Sequence, residues 1–174
     1  MNDSLKAQKS AQDHSSLTNL ERAEVLRGSI VENALSLIDT PYRWNSVQPY
    51  EGSHCAMFGL TPYKLTGLID DNVKLPVHHR DWMLGKDVDP NEFRDFIMQF
   101  AVEIPFDDRQ SGDLVSFIFR GIESHVGILL RRDPDHIIHN PSGEAVKVQR
   151  LAQIPSLKSV YRHKKIMELE NVGS

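Results

Sequence analysis

The sequence predicts an α+β domain with its helices first and an antiparallel sheet after them. Three observations carry this expectation. Apolar residues recur at helical spacing between Val25 and Ile38. From Ser111 onward the period shortens to that of strands. The strand runs are separated by short Gly-, Pro- and Asp-containing turns, which join antiparallel neighbours and leave no room for helical crossovers.

Residues 1–18 are polar, rich in Ser, Gln and Lys, and aperiodic, so they read as a disordered or loosely attached tail. Residues 19–174 read as one domain, long enough to bury a core. Thr18 or Asn19 caps the first helix, whose apolar face is Val25, Leu26, Ile30, Val31, Ala34, Leu35 and Ile38, and Pro41 marks its limit. An aromatic, turn-prone stretch follows, Thr40-Pro41-Tyr42-Arg43-Trp44, then a polar loop to Gly52-Ser53-His54-Cys55. The apolar run after Cys55 predicts a helix through Met57, Phe58 and Leu60, kinked or broken at Pro62, with Tyr63, Leu65 and Leu68 beyond it. Leu75-Pro76 opens a connection through His78-His79-Arg80-Asp81-Trp82. Asp89-Pro90-Asn91-Glu92 starts a further helix with Phe93, Phe96, Ile97 and Phe100 on its buried face, ending before Pro105. Five strands are then expected, at Leu114–Phe119, His125–Leu130, His136–His139, Ala145–Val148 and from Val160.

Composition excludes some functions. The net charge is −4, with no basic excess of the kind nucleic-acid binding needs. No run of 18 apolar residues is present, so no membrane-spanning helix is expected. The first residues lack an apolar signal region, which predicts synthesis in the cytoplasm. Cys55 is the single cysteine, so no internal disulfide can form.

A lone cysteine is more often a small buried hydrophobe than a nucleophile. Its place at a helix start argues the other way, because the partial positive charge there favours thiolate. A nucleophilic thiol needs a base. His125 opens one strand and His139 closes the next, so a hairpin brings the two imidazoles to the same end. One could take the thiol proton while the other accepts its second N–H and orients it. Asn140 is a rival orienter, but adjacent strand residues point to opposite faces.

His78, His79 and Asp81, with His54 or His136, invite a metal reading, but their spacing matches no common zinc motif and no metal or other cofactor is expected. The run Arg162-His163-Lys164-Lys165 reads as a solvated strand end. Trp44 and Trp82 read as packing or cleft-lining residues.

Taken in order, Thr40-Pro41-Tyr42-Arg43-Trp44, a Cys at a helix start, Leu75-Pro76, Gly112-Asp113-Leu114-Val115-Ser116-Phe117, Ser124-His125-Val126-Gly127-Ile128-Leu129-Leu130 and Ile138-His139 resemble the NlpC-type cell-wall endopeptidases. These are papain-like cysteine peptidases of bacterial peptidoglycan. The resemblance runs from about residue 30 to 166. It implies a papain-like fold, with the nucleophile helix packed on a C-terminal antiparallel sheet of about five strands. It also implies Cys55 as nucleophile, His125 as general base and acid, His139 as the orienting residue, and Tyr42 beside the nucleophile as a substrate or oxyanion contact. The implied activity is hydrolysis of a peptide bond in the peptidoglycan stem, with peptidoglycan or muropeptides as partner, no cofactor, and a monomer expected. A wall hydrolase without a signal region would reach its substrate by lysis, a phage particle or a secretion system.

The chain departs from that family where Asp-Cys-Ser-Gly is usual and His54-Cys55-Ala56-Met57 stands. Members that bind a free peptide amine use that Asp and Ser, so amine recognition does not carry over. Asn45-Ser46 replace glycines after the tryptophan, Pro62 is unusual in the nucleophile helix, and residues 89–110 read as an added helical insertion. Two other readings stay open: a wall-binding or assembly module that kept the fold without catalysis, and an acyltransferase or amidase on a non-wall substrate.

Overall fold

Residues from four helices and one sheet face meet in the main core of this α+β protein, with four helices and eight strands among the described residues. The structure is a computed structural model that describes residues 17–43, 47–48, 50–53, 55–74, 89–119, 121–132 and 135–172. Expectations for the tail before Leu17, for Trp44, Asn45 and Ser46, for His54, and for the stretch 75–88 with His78, His79, Asp81 and Trp82 lie outside the described residues.

Helix α1 spans Asn19–Leu35 and is capped by Thr18. The Thr18 hydroxyl accepts from the Glu21 N–H, and the Glu21 carboxylate accepts from the Thr18 N–H at 2.7 Å, a reciprocal capping box. Its buried face is Ala23, Arg27, Ile30 and Ala34. Val25, Leu35 and Ile38, expected on that face, are exposed.

A two-stranded hairpin, β1 (Val47–Gln48) and β2 (Gly52–Ser53), leads to helix α2, Cys55–Leu65. Every residue of α2 from Cys55 to Tyr63 is buried, the mark of a core helix. Pro62 lies inside α2 and does not end it. Proline removes the donor that would have met the Phe58 carbonyl, yet the helix continues to Leu65 and the Thr66 N–H closes back on the Pro62 carbonyl at 3.1 Å.

Helix α3 is only Glu92–Ile97. The helix predicted to run on towards Pro105 gives way to strand β3, Ala101–Ile104, and a single 3-10 turn at Phe106–Asp108. The stretch 89–110 is therefore helical only in part. Strand β3 is also why the main sheet has six strands rather than five. The others are β4 (Leu114–Phe119), β5 (Ile122–Arg132), β6 (Asp135–His139), β7 (Lys147–Arg150) and β8 (Leu157–His163), in the spatial order β3-β8-β4-β5-β6-β7, all antiparallel. The chain then forms helix α4, Lys164–Val172, which the sequence reading missed.

Alternation along the strands divides the core in two. Leu114, Val126, Ile128, Ile138 and Tyr161 join Phe58, Leu60 and Ile30 on the helix side. Val115, Phe117, Leu129, Ile137 and Val160 face the other way and pack on Leu151. Helix α2 lies against β5, and α1 lies on α2 and α4. Gly59 permits the close approach of α2 to the sheet: a Cβ there would sit 2.4 Å from Val126 Cγ2.

Buried charge fastens the N- and C-terminal helices to the sheet. Asp113, fully buried at the start of β4, accepts from Arg27 at 3.0 Å and from Arg162 at 2.9 Å and 3.1 Å. Glu170 of α4 accepts from the same two arginines at 2.6 Å and 3.0 Å. The run Arg162-His163-Lys164-Lys165 is thus not a solvated strand end throughout, since Arg162 and His163 are buried and only the two lysines are exposed. The Gly112-Asp113 pair of the sequence motif is structural. Gly112 takes φ +83° against the Arg27 backbone and places Asp113 between the arginines.

Candidate active site

Cys55 is the first residue of α2 and is 3% exposed. Its thiol donates to the Ser124 carbonyl at 3.6 Å, which ties the helix start to β5. Burial pushes the Cys55 thiol up to about 12; the backbone N–H groups of Ala56 and Cys55 act in the opposite direction and do not prevail. The thiolate expected from the helix terminus alone is therefore not the resting state. Ala56, at the place of the Ser in Asp-Cys-Ser-Gly, is buried in α2 and carries no polar side-chain atom to meet a peptide amine.

The contact point on β5 is irregular. Phe117 of β4 faces His125, but Ile118 faces Glu123, so Ser124 has no partner on β4. A bulge of this kind bends the strand and re-aims its side chains. It occurs where the Ser124 carbonyl meets Cys55 and where His125 begins the regular part of the strand.

His125 and His139 come together as the hairpin argument expects. The register pairs Gly127 with His139, so His125 sits two residues along β5 from His139's direct partner. His125 Nε2 and His139 Nδ1 are 2.8 Å apart. On its other side, His139 Nε2 lies 3.1 Å from Gln149 Oε1. Burial drives His125 down to about 3, with the neighbouring His139 adding to the fall. Burial drives His139 down to about 4, while the Gln149 hydrogen bond works in the opposite direction. Both imidazoles rest neutral at pH 7.

Cys55, His125 and His139 line one pocket of about 230 Å³ with Ser142, Gln149 and Ile154. Tyr42 is half-buried beside it. Burial, then the neighbouring Cys55, push its hydroxyl up to about 12, with Ser142 acting the other way. Tyr42 therefore remains an O–H donor at any ordinary pH.

Asn140, the rival orienter, is fully buried and donates its amide to the Glu144 carbonyl at 3.2 Å. His163 stands apart from the pocket, stacked on Tyr63 at 5.9 Å. Among the described residues no three His, Cys, Asp or Glu side chains converge as a metal centre would require. No described helix is long and apolar enough to cross a membrane. Gln149 is the site residue that the sequence reading passed over. Its signal was faint, one polar residue at an inward position of an alternating strand.

The model of the NlpC/P60 family matches residues 39–165. Among solved structures, an NlpC/P60 family protein from Bacillus cereus superposes with a TM-score of 0.57 at 20% identity, over 79% of this chain and 40% of that one. The chain thus spans about two fifths of the Bacillus cereus protein's length. The NlpC/p60 domain of the peptidoglycan hydrolase SagA gives a TM-score of 0.53 at 23% identity, over 78% of this chain and 97% of that domain. The peptidoglycan hydrolase RipB from Mycobacterium tuberculosis gives 0.53 at 17% identity, over 84% and 71%. These likenesses show the papain-like fold. Among curated proteins, none matches the chain.

Proposed function

The chain belongs to the NlpC/P60 family, and we propose that it is a cysteine peptidase hydrolysing a peptide bond of the peptidoglycan stem. The observation that carries this is the meeting of Cys55, His125 and His139 at one pocket, with His125 Nε2 2.8 Å from His139 Nδ1. The names of SagA and RipB as peptidoglycan hydrolases support the choice of substrate.

The protonation states shape the chemistry. Thiol and imidazole start neutral, so the proton moves as the carbon–sulfur bond forms rather than before it. His125 takes the Cys55 proton, sulfur adds to the carbonyl carbon, and the oxygen becomes an oxyanion. The Cys55 backbone N–H and the Tyr42 hydroxyl are the donors offered to it. His125 then gives the proton to the leaving amine as the C–N bond breaks, leaving a thioester on Cys55. Water attacks the thioester with His125 again as base, and the carboxylic acid product leaves with the thiol restored. His139 does not touch the reacting atoms; it is a positioning residue for His125.

The test is digestion of purified muropeptides followed by mass spectrometry. Wild type should yield stem-peptide fragments, and Cys55→Ala should yield none while keeping its fold. Equal product from both proteins sinks the mechanism.

One observation favours a second reading, a non-catalytic wall-binding module: Cys55 is 3% exposed, and this burial works against the thiolate. That reading expects wild type and Cys55→Ala to sediment equally with wall material and neither to release fragments.

A further inference from the structure

Gln149 of β7 lies directly across from Ile137 of β6, two residues from His139, so Gln149 and His139 share a face of the sheet. The three side chains form a line: Gln149 Oε1, then His139 Nε2 at 3.1 Å, then His139 Nδ1 to His125 Nε2 at 2.8 Å. An amide oxygen carries lone pairs and no hydrogen, so it can only accept. His139 Nε2 must then bear the hydrogen. A neutral imidazole has one N–H, so His139 Nδ1 is left as an acceptor. It takes its hydrogen bond from His125 Nε2–H, and His125 Nδ1 is left with a lone pair. Reversing the amide inverts every step. A donor facing His139 Nε2 would put the hydrogen on His139 Nδ1, force His125 Nε2 to accept, and place the second hydrogen on His125 Nδ1. That ring would have no free lone pair with which to take a proton.

We infer that Gln149 is a positioning residue that fixes the tautomer of His125 through His139, and so decides which His125 nitrogen is the base. The inference rests on the reading of Cys55 and His125 as nucleophile and base. It adds that the requirement at position 149 is for an acceptor rather than for an amide. The geometry offers His139 one polar partner on each ring nitrogen, at 2.8 Å and 3.1 Å, and leaves the identity of the 149 end to decide the direction of the relay.

The experiment measures long-range proton–nitrogen correlation spectra of the His125 and His139 rings at pH 7, with kcat/KM on one defined muropeptide. It compares wild type, Gln149→Glu and Gln149→Lys. Glutamate only accepts and lysine only donates. Wild type and Gln149→Glu should show the hydrogen on Nε2 of both rings, and Gln149→Glu should keep kcat/KM within about tenfold. Gln149→Lys should move both hydrogens to Nδ1 and lose about 10²–10⁴-fold in kcat/KM, the scale of lost general-base catalysis. The pH profile adds a readout that a wall residue would not move. The acid limb of Gln149→Glu should shift upward, because a carboxylate stabilises the His139 imidazolium.

The inference is overturned if wild type carries the hydrogen on His139 Nδ1, which needs no variant to fold. It is equally overturned if Gln149→Lys keeps the wild-type tautomers and rate. If the tautomers respond as described but wild type cleaves no muropeptide, the relay stands and the peptidase reading is what fails.

Discussion

Gly127 of β5 lies directly across from His139 of β6, and the space between them admits no side chain. A Cβ on Gly127 would stand 3.2 Å from His139 Cβ, 3.0 Å from the Ile138 carbonyl oxygen and 2.9 Å from Ile137 Cδ1. The Ile137 methyl can turn aside, but the carbonyl belongs to the ladder. Gly127→Ala should therefore displace β6 by a few tenths of an ångström and lower kcat/KM about tenfold, and Gly127→Val should lower it about a hundredfold, since small misplacements of catalytic groups are costly. Steady-state kinetics on one muropeptide checks both. Wild-type rates in Gly127→Val would show that the spacing of the two strands does not matter to the site.

His125 and His139 set the pH behaviour. Both are held neutral in the folded protein, with values pushed down to about 3 and about 4, against an ordinary value near 6.5 in the unfolded chain. Between those limits the unfolded chain binds protons that the folded one refuses. Stability from this source is complete above about pH 6.5 and is lost as pH falls towards the folded values. The urea midpoint should drop from pH 7 to pH 5 in wild type and drop less in His125→Asn. Equal drops would contradict a neutral buried pair. The acid limb of kcat/KM should likewise lie below pH 5.

The thiol has its own signature. With burial holding Cys55 in the protonated form, iodoacetamide at pH 7 should modify it about tenfold or more slowly than free cysteine, because only thiolate reacts. The rate should climb with pH well beyond the range where free cysteine levels off. Fast alkylation at pH 6 would instead reveal a preformed thiolate.

The proposed roles make His139 replaceable in a way that His125 is not. An Asn side-chain oxygen can accept the His125 N–H, so His139→Asn should keep measurable kcat/KM and His139→Ala should lose more. His125→Asn should fall about 10²–10⁴-fold, since an amide shuttles no proton. His139→Asn as inactive as His125→Asn would contradict a purely orienting role, and full activity in His139→Ala would place it outside the site.

Asp113 has a structural role. It is fully buried between Arg27 and Arg162, and removing one partner of a buried ion pair strands the others. Asp113→Ala should cost about 3–5 kcal/mol in urea unfolding. A loss below about 1 kcal/mol would mean that water reaches the arginines and solvates them.

Much of the site was legible because it is built from local order. The hairpin places His125 beside His139 through strand period and a short turn, and Cys55 stands where a polar loop meets an apolar run. What escaped was set by distant partners. Arg162 looked solvated beside two lysines, yet Asp113, 49 residues earlier, takes it into the core. Val25 and Leu35 fit a helical face, but α1 turns Arg27 inward to Asp113 and leaves them exposed, and Ile38 falls in the turn beyond the helix. Ala101–Ile104 is four residues long, too short for its period to distinguish strand from the tail of the Phe93–Phe100 pattern; pairing with β8 decides it. Helix α4 was hidden because a charge run opens it, and only Ile166 is buried.

The hydrogen bond from Cys55 to the Ser124 carbonyl has a mechanical consequence. Ser124 is one peptide bond from His125, so Cys55 is latched to the segment that carries His125. The bond ties the sulfur to the same stretch of β5 that carries the imidazole. In the proposed reaction, transfer of the thiol proton to His125 removes the hydrogen that makes this bond, so the sulfur is released from Ser124 at the step in which it attacks carbon.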